Sequence, residues 1–264
     1  MAIIPTIAES QDLLPIGDQT VSNVQKWLIP NWLPSSGLTI LETQTNLDAR
    51  YLAVQIGIAL SHGLNSIHSA LSRSRLKFSN KEFLKVLTCS YYDSKIEYES
   101  RLWKVCSTLD WPNYDYVKRN CRLLSLLGVS PIWSRSRAAI TDELHKLVDI
   151  IFQHATSSEA DLIILDPSVS LYHTTIHEQQ AMMLFVHELR DWARHNSIAI
   201  LAISLPLMNK ERLIDNRYSY WQLQTKEDED LRYYQLELAS KDYEFQQPIL
   251  LKKHVIDDDI HRFG

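Results

Sequence analysis

Glycine is scarce, with 6 in 264 residues, so little of this backbone can wrap closely around a phosphate. Cysteine is scarcer still. Cys89, Cys106 and Cys121 form no C-x-x-C pair and leave an odd number, which argues against a disulfide framework or a zinc cluster and for a reducing, cytoplasmic setting. No apolar run is long enough to span a bilayer, so membrane insertion is not expected. The opening residues lack the basic stretch and apolar core of a secretory leader. A net charge of −5 gives no overall field that favours nucleic acid, which leaves only local basic clusters for that role.

What is present is an ordinary globular composition, 45% hydrophobic and 22% charged, long enough for one large domain with a substantial core. Apolar strand-like runs at Leu38–Leu41, Val86–Ser90, Cys121–Gly128, Leu162–Asp166 and Ile198–Ser204 alternate with helical periodicity at Leu47–Gly63, Ile96–Leu109, Thr141–Phe152 and Glu178–Asn196. Alternation of that kind predicts an α/β fold with a doubly wound, mostly parallel sheet flanked by helices. After Pro206 the pattern changes to late strands at Tyr218–Gln224, Arg232–Ala239 and Ile249–Lys252, which read as C-terminal antiparallel strands. The expected organisation is an N-terminal arm at 1–24, a domain at 25–252 with a basic surface loop at 64–85, and a mobile acidic tail at 253–264.

The stretch Trp27–Gly63 has the layout of a nucleotide-binding strand, loop and helix. In the pattern G-x-x-x-x-G-K-[ST], glycine amides wrap the phosphates, lysine neutralises the terminal charge and the hydroxyl takes magnesium. Here Thr43 and Asp48 stand in place of the glycines, Ala49 in place of the lysine, and Arg50 follows. A carboxylate at Asp48, in the first helical turn, satisfies the positive end of the helix dipole and would repel a triphosphate. Arg50 brings positive charge, but it lies about 100° around the helix from the lysine position. The reading therefore expects neither ATP nor magnesium as a cofactor.

Asp166 closes a buried strand and places a carboxylate in the crevice where α/β sheets bind ligands; a purely structural, loop-capping role is the alternative. Arg73, Arg75, Lys77 and Lys81, with Arg135 and Arg137 further on, form small basic groups that could contact nucleic acid or stand as solvated loops. His173 and His177 have the spacing of metal ligands on a helix, but a third ligand is missing and no metal site is expected.

Trp27–Gly63, Val86–Arg101, Ala160–Leu171 and Phe185–Ser204, followed by the late strands, resemble in order the RecA-type ATPase core, and within it hexameric helicases of the plasmid RepA kind and related DNA-repair ATPases. The resemblance covers 25–252 and implies a P-loop NTPase fold. It places Tyr92, with Asp93 beside it, where the family's acidic residue activates water, and Asp166 at the Walker B aspartate. It also puts Ser204-Leu-Pro206 at the polar sensor, and Lys241 and Tyr243 near the late basic pair. With lysine, glycine and base all replaced, the resemblance implies a non-catalytic member kept for its shape and subunit surfaces. Such a protein would act as a homo-oligomer or in a complex with another protein. The alternatives are a DNA-binding accessory protein, or an atypical ATPase using Arg50 and Asp93.

Overall fold

Because helices cover both faces of the central sheet, its strands carry continuous apolar runs in place of an in–out alternation. The computed structural model describes residues 26–30, 32–43, 46–63, 66–68, 75–77, 83–108, 113–127, 137–166, 176–204, 219–228, 231–238, 249–257 and 260–263. β1 (Trp27–Ile29) and β2 (Leu33–Pro34) pair ahead of β3 (Gly37–Thr43), which leads into α1 (Asn46–Ser61). A hairpin of β4 (Ser66–His68) and β5 (Arg75–Lys77) precedes β6 (Val86–Ser90), α2 (Lys95–Thr108), α3 (Tyr114–Asn120) and β7 (Cys121–Ser125). α4 (Arg137–Ser157), β8 (Leu162–Asp166), α5 (Ile176–His195) and β9 (Ala199–Ser204) complete the alternating part. β10 (Ser219–Asp228), β11 (Leu231–Leu238), β12 (Ile249–Asp257) and β13 (Ile260–Phe263) follow.

Nine strands form one sheet in the order β13-β12-β11-β10-β3-β9-β8-β6-β7. Every pairing from β10 to β7 is parallel, and every pairing from β10 outward to β13 is antiparallel. This is the α/β architecture expected from the sequence. Successive residues of each central strand face opposite layers: Leu41, Ile164 and Leu201 join the core under α1, α2 and α3, whereas Ile40, Ile163 and Ile200 join the core under α4 and α5. In the second layer Phe152 of α4 stacks on Trp192 of α5, with ring centroids 3.8 Å apart and planes 5° from parallel. Gly57 lets α1 approach the sheet closely, since a Cβ there would lie 3.1 Å from Ile164 and 3.3 Å from Val86. Gly63, at φ 66°, ends the helix in the left-handed region that glycine adopts at no steric cost.

Several boundaries differ from the sequence reading. The tail expected to be mobile continues β12 to Asp257 and adds β13, which lies alongside α1. Asp257 pairs with Ile260, and both strands carry apolar residues. The basic loop carries β4 and β5, with Arg75 and Lys77 on one strand. α4 begins a turn earlier than the Thr141 cap, because Ala138 and Ala139 extend the helix back to Arg137. α3 occupies Tyr114–Asn120, where the sequence reading placed no element. It is begun by Asn113, whose side chain accepts from the Tyr116 amide at 3.0 Å. The arm at 1–24 lies outside the described residues.

The start of α2 matters most for the site because it fixes the turn after β6. Ser94 Oγ accepts from the Glu97 amide at 3.3 Å, and Glu97 Oε2 accepts from the Ser94 amide at 2.8 Å, which makes a reciprocal capping box. Those hydrogen bonds hold the Glu97 carboxyl below its ordinary pKa. Its stabilising contribution is therefore present above the ordinary glutamate range and is lost as pH falls through the lowered value. Ser94→Ala is expected to cost about 1 kcal/mol at neutral pH in urea unfolding, with the difference from wild type shrinking toward acid. A difference independent of pH would mean that Glu97 plays no part.

Candidate functional site

The carboxyl ends of the central strands line up. Glu42 of β3 is opposite Ser204 of β9, and Ser90 of β6 is opposite both Asp166 of β8 and Ser125 of β7. Glu42, Thr43, Ser90, Asp166 and Ser204 are all buried, so the edge where ligands meet an open α/β sheet is a polar row inside the protein. Ser90 organises the next turn: its Oγ accepts from the amides of Tyr92 and Asp93, each at 3.2 Å. Ser125 Oγ donates to the Asp93 carbonyl at 2.8 Å. Together these bonds turn the Asp93 side chain inward.

Two carboxylates and two guanidinium groups meet there. Arg50 Nε, on α1, donates to Asp166 Oδ2 at 2.8 Å, and its Nη2 lies 3.0 Å from Asp93 Oδ1 as an ion pair. Arg101, two turns into α2, grips Asp93 with both terminal nitrogens at 2.5 and 2.6 Å. This is the fork geometry that arginine supplies and lysine cannot. Ser90 Oγ also donates to Asp166 Oδ2, at 3.4 Å. The exposed Tyr92 ring lies 5.5 Å from the Arg50 guanidinium carbon, and Tyr51 lies 5.7 Å from that of Arg101, both within cation–π range. The side chains of Asp93 and Asp166 are only 3% and 2% exposed, and those of Arg50 and Arg101 13% and 15%.

The electrostatics follow from this burial. Desolvation pushes the Asp166 pKa up, and Arg50 counters it through charge and hydrogen bonding. Burial opposes the charge on Arg50, but Asp166 and Asp93 outweigh it and hold the guanidinium above its ordinary value. Removing any one member would strand a buried charge, so the cluster holds β6, β8, α1 and α2 in one arrangement.

Thr43, Ala49 and Arg50 do not supply the glycine, lysine and hydroxyl that a phosphate loop presents to a nucleotide with magnesium. β3 ends at Thr43 and α1 starts at Asn46. Asp48 sits in the first turn of α1, and Ala49 is fully buried, delivering no charge. Asp166, which the resemblance places at the metal-side carboxylate, is bonded to Arg50. Asp93, the acid nearest the expected water-activating position, has both oxygens engaged by guanidinium groups.

Of the residues singled out from sequence, the structure brings Arg50, Tyr92, Asp93 and Asp166 into one cluster, with Thr43 at the adjoining strand end. Arg101 and Ser90 were missed. A single arginine inside a helix gives no pattern that marks it. Arg75 and Lys77 lie on β5 and Arg137 opens α4, away from this cluster in the chain, while Arg73, Lys81, Arg135, His173, Lys241 and Tyr243 fall outside the described residues. Among the described residues, no group of three or more His, Cys, Asp or Glu side chains could hold a metal ion, and no helix is long and apolar enough to cross a membrane.

The sequence model for the AAA domain matches residues 5–204. No curated protein matches the chain in sequence. Among solved structures, the chain is similar to a KaiC-like protein from the hyperthermophilic archaeon Pyrococcus horikoshii OT3. The TM-score is 0.56 at 9% identity, over 90% of this chain and 93% of the other. At that identity the likeness is one of fold, and the fold is the RecA-like P-loop ATPase type.

Arg101→Met leaves Asp93 with Arg50 alone and is expected to cost about 3–5 kcal/mol in urea unfolding, the range for breaking a buried ion pair. Arg101→Lys should recover only part of that loss, because an ammonium cannot engage both oxygens in one plane. A loss below about 1 kcal/mol for the methionine variant would show that the pair behaves like a surface one.

Proposed function

The chain belongs to the AAA domain family, and we propose that it serves there as a non-catalytic, pseudo-ATPase subunit. Its role is structural or regulatory, within an assembly of its own copies or with another protein. The observation that carries this reading is the Arg50 guanidinium bonded to Asp166 inside the polar row, where an active relative needs a free carboxylate for its metal. The buried, uncharged Ala49 at the lysine position and the double engagement of Asp93 support it independently.

A surface for assembly is also present. Ile96 and Trp103 lie two turns apart on α2 and are 82% and 55% exposed, on the element that follows Tyr92 and Asp93 out of the site. Large apolar side chains left in water at helical spacing are a cost that a partner surface would remove. The resemblance of residues 25–252 to hexameric helicases of the plasmid RepA kind supports DNA replication, repair or a mobile element as the setting.

The test is made on the purified full chain, with ATP and magnesium added. The expected results are no thermal shift, no phosphate release with or without DNA, and a mass by light scattering above that of one chain. Phosphate release abolished by Asp166→Ala would contradict the reading. So would a monomer that captures no partner from its native host.

A further inference from the structure

In a phosphate-binding loop, the residue after the lysine position places a hydroxyl on the divalent cation, and the Walker B aspartate holds the cation from the other side. Position 50 is that residue in this chain, and Asp166 is that aspartate. The space between the two is filled by the guanidinium of Arg50 itself, at 2.8 Å from Asp166 Oδ2 and 3.0 Å from Asp93 Oδ1. The turn of about 100° per helical residue, which carries Arg50 away from the phosphate-facing lysine position, is what directs it at the metal-side carboxylates.

We propose that Arg50 is a tethered replacement for the exchangeable divalent cation. The guanidinium holds the ends of β6 and β8 and the start of α1 permanently in the cation-filled arrangement, so the fold no longer responds to metal. Two features of the cluster favour substitution over an ordinary surface pair. Asp166 is 2% exposed and its Oδ1 has no hydrogen-bond partner among the described residues, a ligand-ready oxygen with nothing else in place to use it. Ser90 Oγ lies 3.4 Å from Asp166 Oδ2, so a hydroxyl at position 50 would stand with Asp166 and Ser90 as hard oxygen donors, while Arg101 keeps Asp93. This inference rests on the non-catalytic reading, and it adds a latent divalent-cation site that removal of one side chain exposes.

The experiment uses the full chain with Mn2+ as the only added ligand and no nucleotide. Wild type is expected to show no change in Tm and no Mn2+ binding by electron paramagnetic resonance. Arg50→Ser is expected to lose about 6–20 °C in Tm from the stranded carboxylates, to bind Mn2+ with saturation, and to regain stability as it does so. Adding Asp166→Asn should abolish both binding and recovery. Folded Arg50→Ser that binds no Mn2+ would overturn the proposal, as would wild type binding Mn2+ through Asp166. Should Arg50→Ser fail to fold, Arg50→Lys and Arg50→Met decide: the lysine variant should stay well above the methionine variant in Tm, and equal Tm values would overturn the proposal. Because nucleotide is absent from every arm, failure here is distinct from failure of the non-catalytic reading, which wild-type ATP hydrolysis would reveal.

Discussion

The structure depends on a charge balance enclosed at the carboxyl edge of the sheet: Arg50 and Arg101 against Asp93 and Asp166. Two buried carboxylates and two part-buried guanidinium groups are tolerable there because each has an opposite neighbour within hydrogen-bond or ion-pair distance. That requirement ties together elements that share few backbone hydrogen bonds. α1 is held to β8 through Arg50, and the turn after β6 is held to α2 through Asp93 and Arg101. In the non-catalytic role we propose, the same edge need not open to admit phosphate and metal. Here it is closed by side chains that belong to the fold.

The rest of the core explains why such a closure can persist. Strands β3, β9, β8 and β6 are buried on both faces, and each fully buried leucine or isoleucine contributes about 1.5–3 kcal/mol relative to exposure. A framework of that kind does not need a bound ligand to hold its shape. Gly57 and the capping box at Ser94 and Glu97 then set how closely α1 approaches the sheet and how α2 leaves it. These two placements bring Arg50 and Arg101 to bear on one aspartate.

Much of this was legible in the sequence, for identifiable reasons. The parallel strands appear as short apolar runs because both faces are buried, and Asp166 is conspicuous as the charge that ends one of them. That Asp48 and Ala49 stand where a phosphate loop carries glycine and lysine is read from the sequence directly. What sequence left hidden depends on tertiary reach. Arg50 is one position from the lysine site but faces a different part of the crevice, and only the structure supplies the carboxylates it meets. Arg101 is eight residues from Asp93, and no local pattern distinguishes it from a solvated helix arginine. The end of the chain reads as mobile from its charge, whereas β12 and β13 pair there through Lys253–Asp257 and Ile260–Phe263.

The most direct measurement is a double-mutant cycle between Arg50 and Asp166, using Arg50→Met, Asp166→Asn and their combination, with stability read from urea unfolding. Direct pairing in a buried setting predicts a coupling energy of at least about 1.5 kcal/mol, with the double variant more stable than the sum of the single losses implies. Losses that add within about 0.5 kcal/mol would contradict the account, because residues with no shared partner behave in that way.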